Sequence, residues 1–302
     1  MRNAFAKAMT ELAKEREDVC LLSGDIGNRM FDRYKEIAPE RFLNCGIAEA
    51  NMMSMATGMG LSGMRPVVYT ITPFTTTRCL EQIRTGVAYH EAPVVIVGTG
   101  SGLSYAELGA THHSLEDLAI LRSIPNMRIC APADSLELVA QLRQGIEEGR
   151  PTYIRIGKKG EPDLLTNAPK LGIGTANMLV KGKNILLMGI GPIMTEVMIA
   201  SDKLRKEGIN PGVACMGTIK PIDNNFLKER LSEGYTKWIT IEEHHKTGGL
   251  GSTVVEWLSD NEEGQVEVTR MGIDDHFIHE LATQTIVRRN QGIDASAIIE
   301  VA

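Results

Sequence analysis

Short apolar runs alternate with segments of helical periodicity along nearly the whole chain. Strand-like runs occur at residues 19–22, 66–70, 94–97, 128–130 and 153–155, with helical patterns at 48–61, 76–88, 114–122 and 135–148 between them. A leading segment, MRNAFAKAMTELAKERED, places Phe5, Met9 and Leu12 on one helical face. Strands alternating with helices predict a parallel sheet with crossover helices. The charged, turn-rich stretch GKKGEPDLLTNAPKLGIGTA (157–176) interrupts this pattern and reads as a linker with a short edge strand. A second series follows, with strands at 184–188, 212–216, 238–242 and 267–272 and helices at 193–207, 224–231 and 251–260. The expectation is an α/β protein of two domains, 1–168 and 169–302, without internal repeats.

Composition narrows the classes. The chain has 302 residues, 43% hydrophobic and 23% charged, enough for two separate cores. A formal charge of -6 argues against non-specific nucleic-acid binding, which needs a concentrated basic face. No apolar run approaches the roughly 18–20 residues of a membrane helix, and the N-terminus lacks the apolar core of a signal peptide. A cytoplasmic protein with neither membrane nor nucleic-acid partner is expected. The five cysteines (Cys20, Cys45, Cys79, Cys130, Cys215) show no CxxC spacing, as suits reduced core residues. Adjacent pairs His112–His113 and His244–His245 diverge on any regular element and make poor metal sites. No metal-ligand set is expected from this chain.

The most informative segment is RFLNCGIAEANMMSMATGMGLSG, residues 41–63. A strand-like lead-in and a turn at Gly46 run into a helix carrying Glu49 in its first turn. Ala48, Ala56, Gly58, Gly60 and Gly63 permit close approach, while Met52, Met55 and Met59 fill irregular gaps. From the residues alone, a buried core helix whose Glu49 favours the helix dipole fits better than a site helix does. Likewise Phe74 reads as core packing or as a flat apolar platform, Tyr69 as strand core, and Arg155 as a surface cation or an oxyanion fork.

The segment PERFLNCGIAEANM closely resembles the transketolase and deoxyxylulose-phosphate synthase pattern R-F-x-N-x-G-I-A-E-x-N/H-M. SGDIGN (23–28), the 70–78 segment, GATHHSLED (109–117), APADSLEL (131–138) and EEHHKTGGLGS (242–252) follow in the family's order, so the resemblance to the C-terminal half of a transketolase covers essentially the whole chain. It implies a pyrimidine-type thiamine-diphosphate-binding domain with a parallel sheet, followed by a smaller α/β domain of the transketolase C-terminal type. Glu49 is implied to hydrogen-bond the aminopyrimidine ring, stabilising the imino tautomer that serves as base. An apolar, Met-rich and uncharged setting would keep such a carboxyl a donor. Phe74 and Ile71 are implied at pyrimidine-wall positions, the latter commonly aromatic, with Arg78 alongside. Asp25, in a turn at a strand's C-terminal end, is implied near the thiazolium and the subunit contact. His112 is implied as the active-site histidine meeting a substrate oxygen, His113 as a bystander, and Arg155 as the grip on a substrate's far phosphate.

Two departures bear on the substrate. Gly100 stands where many transketolases carry a phosphate-binding His, and Leu108 stands where an Asp reads a substrate hydroxyl. A buried Leu cannot accept a hydrogen bond, so a modified sugar or a different terminal anion is expected. The second Gly of the family's GDG motif and its downstream Asn magnesium ligands are missing from SGDIGNRMFDRYKE. The resemblance therefore implies that a separate N-terminal-half subunit holds the diphosphate and Mg2+, in an α2β2 assembly. Glycine clusters in the second domain fail the GxGxxG spacing, since the last position from Gly189 is Met194. That domain reads as a structural, dimer-forming module. The expected activity is a heteromeric transketolase transferring a two-carbon ketol unit between sugars. The alternatives are the β subunit of a thiamine-dependent oxo-acid dehydrogenase, a deoxyxylulose-phosphate-synthase-like enzyme, or a non-catalytic scaffold.

Overall fold

The computed structural model describes residues 1–27, 29–168, 170–261 and 266–302. The expected domain boundary falls at Pro169, outside the described residues, as does Asn28 of the SGDIGN motif.

The first half builds one sheet from β1 (Val19–Ser23), β2 (Phe42–Asn44), β3 (Arg65–Ile71), β4 (Val95–Thr99), β5 (Arg128–Cys130) and β6 (Thr152–Ile156). The second half contributes β7 (Asn177–Val180), β8 (Ile185–Gly189), β9 (Gly212–Cys215), β10 (Thr218–Lys220), β11 (Lys237–His245) and β12 (Glu267–Ile273). The larger sheet has order β10-β5-β6-β4-β3-β1-β2, and the smaller β12-β11-β8-β9-β7. Both are parallel except at one edge, where β10 runs against β5 and β7 against β9. β10 comes from the second half yet closes the sheet of the first, so the two domains share an edge. That three-residue strand is too short to signal itself by periodicity.

Burial follows the pattern of a sheet covered on both faces. β1, β4, β5 and β6 are buried at every position. The helix Arg2–Glu15 lays Phe5, Met9 and Leu12 against this sheet, and Phe5 stacks on Tyr69 at 5.1 Å. Tyr69 is thus a core residue. The edge strand expected in the linker lies just beyond it, as β7.

The expected helix 76–88 is not continuous. A short helix at Thr72–Thr75, a 3-10 turn at Thr77–Cys79 and a π-helical segment at Gln82–Ala88 replace it. Three consecutive threonines break the ladder: the hydroxyls of Thr75 and Thr76 donate to the Thr72 carbonyl and that of Thr77 to the Pro73 carbonyl. Such back-bonding offers the backbone an alternative to a regular helix. The break folds Arg78 back toward Phe74.

Candidate active site at the C-terminal edge of the larger sheet

Strand register brings the candidate loops together. Ser23 pairs with Asn44 and Tyr69, Ile71 with Thr99, and Thr99 with Ile156, so the exits of five parallel strands lie in one row. This is the edge where open parallel sheets bind ligands.

Glu49 opens the helix Glu49–Leu61 and is 3% exposed. Asn44, at the end of β2, accepts from the Gly46 amide at 3.0 Å and donates to Asp25 at 2.9 Å. One amide side chain thereby ties the Asp25 turn to the turn that aims Glu49. Asp25 is exposed, with φ 56, a left-handed conformation that Asp tolerates through local hydrogen bonding. Asn44 lies inside the quoted motif, yet the sequence alone does not single it out.

The surroundings of Glu49 are not uncharged as expected. Arg78 Nη1 donates to its Oε1 at 2.9 Å. Arg78 arrives from the broken segment after β3, 29 positions away, and local composition around Glu49 carries no trace of it. The guanidinium carbon also sits 4.0 Å from the centroid of the Phe74 ring. His112 meets Phe74 edge-on at 5.4 Å. Partial burial, reinforced by neighbouring His113 and Arg78, holds its imidazole below the usual range, so it is neutral and able to accept a proton. His113 is buried and contacts the Ala106 carbonyl at 3.3 Å. Glu49, Phe74, Arg78 and His112 are therefore one cluster, with Ile71 half-buried at the end of β3.

Arg155 is placed differently. It lies within β6, 4% exposed, with Nη1 bonded to Asp117 at 3.0 Å and Nη2 to the Glu243 carbonyl at 2.9 Å. Leu108, expected to be buried, is 52% exposed. It ends a single 3-10 turn at Ala106–Leu108 whose next residue, Gly109, has φ 73, and the reversal leaves the side chain outward. Gly100 has φ 85, and a Cβ there would fall 2.1 Å from the Tyr105 ring. Tyr105 thus fills the space that a side chain at position 100 would take. Its ring lies 6.2 Å from His112 and carries the Lys158 ammonium 4.9 Å from its centroid. Sequence reasoning misses Tyr105 and Lys158. The visible signal is the glycine at 100, whose missing side chain calls for a filler nearby.

A flat ring with a hydrogen-bonding edge fits this cluster. The half-buried Phe74 ring and the buried Glu49 carboxylate already accept a planar nitrogen donor, the Arg78 guanidinium, which stands in for such a ring. Among the described residues, no three His, Cys, Asp or Glu side chains are grouped so that they could hold a metal ion. No helix among the described residues is long and apolar enough to cross a membrane.

Two α/β domains, the larger with a buried carboxylate and an aromatic ring gathered by one arginine at its strand exits, define an open-sheet architecture of the kind that binds ligands at that edge. Comparison with known proteins agrees. Residues 1–161 match the pyrimidine binding domain of transketolase, and 174–298 match the transketolase C-terminal domain. The chain is 32% identical to one subunit of the apulose-4-phosphate transketolase of Phocaeicola vulgatus, covering 100% of this chain and 96% of that one. It is 34% identical to 1-deoxy-D-xylulose-5-phosphate synthase of Aquifex aeolicus, covering 98% of this chain but 47% of that one. A solved split gene transketolase, an inactive beta4 tetramer, superposes with a TM-score of 0.88 at 32% identity over 99% of this chain and 95% of that one. The chain belongs to the transketolase family, as the counterpart of its pyrimidine-binding and C-terminal domains.

Proposed function

We propose that this chain is the pyrimidine-side subunit of a heteromeric transketolase that transfers a two-carbon ketol unit from a ketose to an aldose. The observation that carries the reading is the 3% exposed Glu49 carboxylate and the Phe74 ring, both engaged by the one Arg78 guanidinium, with His112 edge-on to the same ring. Thiamine diphosphate, when bound, supplies a nucleophilic thiazolium carbon generated by its own aminopyrimidine. Glu49 would hold the far ring nitrogen, and Phe74 with Ile71 would wall the ring and exclude water. His112, neutral at physiological pH, polarises the substrate oxygen and exchanges a proton with it. Asp25, fixed by Asn44, faces the partner across the cofactor's middle.

The diphosphate and its Mg2+ are held by a separate N-terminal-half subunit, in an α2β2 assembly in the cytoplasm. Support comes from the nearly end-to-end match to a relative named as one subunit of a transketolase. For the sugar's terminal anion, the engaged nitrogens of Arg155 support a positioning role, and Lys158, poised over the Tyr105 ring that neighbours His112, is the cation left to meet it. Gly100 and Leu108 shape that end of the pocket: Gly100 by admitting Tyr105, Leu108 by presenting an apolar surface in place of an acidic reader.

The decisive experiment reconstitutes the chain with its partner subunit. Ketol transfer between phosphorylated sugars is assayed against pyruvate decarboxylation, and cofactor binding is followed by calorimetry. Ketol transfer with cofactor binding supports the reading. Pyruvate turnover points to the oxo-acid dehydrogenase or synthase alternatives, and absence of binding points to a scaffold.

A further inference from the structure

Arg78 makes the two contacts that the proposed function assigns to the cofactor's aminopyrimidine. Its guanidinium carbon lies 4.0 Å from the Phe74 centroid, and its Nη1 lies 2.9 Å from Glu49 Oε1. A planar cation and a planar heterocycle cannot share one aromatic face and one buried carboxylate oxygen. We infer that Arg78 closes the pyrimidine slot in the free chain and must swing away before the cofactor ring can seat, so that it gates cofactor binding. The inference rests on the proposed function, since it needs Glu49 and Phe74 to be the pyrimidine contacts.

The surrounding structure suits a swinging arm. The Arg78 side chain is 45% exposed while that of Glu49 is 3% exposed, so an exit to solvent is open to the arginine alone. Its backbone belongs to the 3-10 turn Thr77–Cys79, preceded by Thr76 at φ -116, ψ -86 and followed by the π-helical segment. No regular helix fixes the direction of the side chain at this point. Closure also shields the carboxylate: with the slot empty, Glu49 would be a buried charge without a counter-charge, and Arg78 supplies one. Arg78 is also the smallest of three contributors to the lowered His112 pKa, after burial and His113, so moving the arm changes the electrostatics beside that ring.

A closed state favoured about ten to one over the open state weakens apparent cofactor affinity roughly tenfold. The test titrates thiamine diphosphate with magnesium into the assembled two-subunit enzyme carrying wild-type chain, Arg78→Met or Arg78→Lys, following affinity by calorimetry and association by stopped flow. In the wild type, the association rate is expected to saturate with cofactor concentration, reporting the arm's opening as a separate step. Arg78→Met should bind roughly tenfold more tightly and lose that saturation. Arg78→Lys should fall between, because an ammonium retains the charge toward Glu49 but lacks the planar fork that covers Phe74. Equal or weaker binding by Arg78→Met, or a wild-type rate that rises linearly to high concentration, would overturn the gate while leaving the proposed function intact. Absence of binding by all three proteins would overturn the proposed function, and the gate with it.

Discussion

Asp117 and Arg155 form a 3.0 Å ion pair that solvent barely reaches, with exposures of 2% and 4%. The other Asp117 oxygen accepts from the Tyr153 hydroxyl at 2.6 Å, and the other terminal nitrogen of Arg155 donates to the Glu243 carbonyl in the second domain. The pair therefore fastens the two domains together. Removing one partner strands a buried charge, so Arg155→Met should cost about 3–5 kcal/mol, while adding Asp117→Asn should recover part of that loss. Urea denaturation of the three proteins checks this. A loss below about 1 kcal/mol, the scale of a solvent-exposed pair, would return Arg155 to the role of a substrate grip.

Glu49→Gln keeps a hydrogen-bond acceptor for Arg78 and nearly the same volume, so the chain should fold and assemble as before. It loses the acid function toward the ring nitrogen. Turnover of the assembled enzyme should fall about 100-fold or more, the scale of a lost proton-transfer group. Circular dichroism establishes the fold and initial rates of ketol transfer measure the effect. Near-normal turnover in a folded Glu49→Gln enzyme is the outcome that sinks the role of this carboxylate.

Most strands and helices are legible in the sequence because each buried run is bounded by turn residues. β5 (Arg128–Cys130) and the helix Ser135–Glu148 lie at their expected limits. The latter is set by Asp134, which accepts from the amides of Leu136 and Glu137, and by Gly149 in the left-handed conformation. What is not legible depends on partners distant in sequence. The break at residues 76–88 is different in kind: its hydroxyl bonds reach back only three or four positions, so its signal, the run Thr75–Thr77, is local. Nothing near Glu49 reveals Arg78, and Lys220 lies in a strand that completes another domain's sheet. In the site, the motif located Glu49, Phe74 and His112, which do converge. The internal engagement of Arg155 and the outward turn of Leu108 follow from tertiary contacts that a motif does not encode.

Gly100 illustrates a residue whose identity is fixed by a neighbour. Its φ of 85 and the 2.1 Å separation between an added Cβ and Tyr105 penalise any side chain twice. Gly100→Ala should destabilise the chain by about 2–4 kcal/mol, from left-handed backbone strain and overpacking together. Adding Tyr105→Gly should relieve the overlap and leave the backbone part. Thermal unfolding of the single and double variants separates the two. An additive pair of losses would show that Tyr105 does not occupy this space.

The pH dependence of stability turns on carboxyls that burial pushes upward. Glu137 is fully buried, raised by desolvation from 4.5 to about 7, and its Oε1 has no hydrogen-bond partner among the described residues. Glu242, which accepts from the amides of Leu250 and Gly251, is raised to about 7 by the same cause. The folded chain then binds these protons more tightly than the unfolded chain, so stability falls as pH rises from about 4.5 to about 7, by up to about 1.4 kcal/mol per pH unit for each group. His244 opposes them: burial lowers it from 6.5 to about 4, so the unfolded chain binds its proton more tightly and stability rises with pH between those values. Two falling contributions outweigh one rising contribution, and above 6.5 the carboxyls act alone. Glu137→Gln removes one falling contribution, so its stability relative to wild type should improve from about pH 4.5 to about pH 7 and level off above that. Urea midpoints at several pH values measure this difference, and a difference that is flat or of the opposite sign would place the ionised form of Glu137 in the native state.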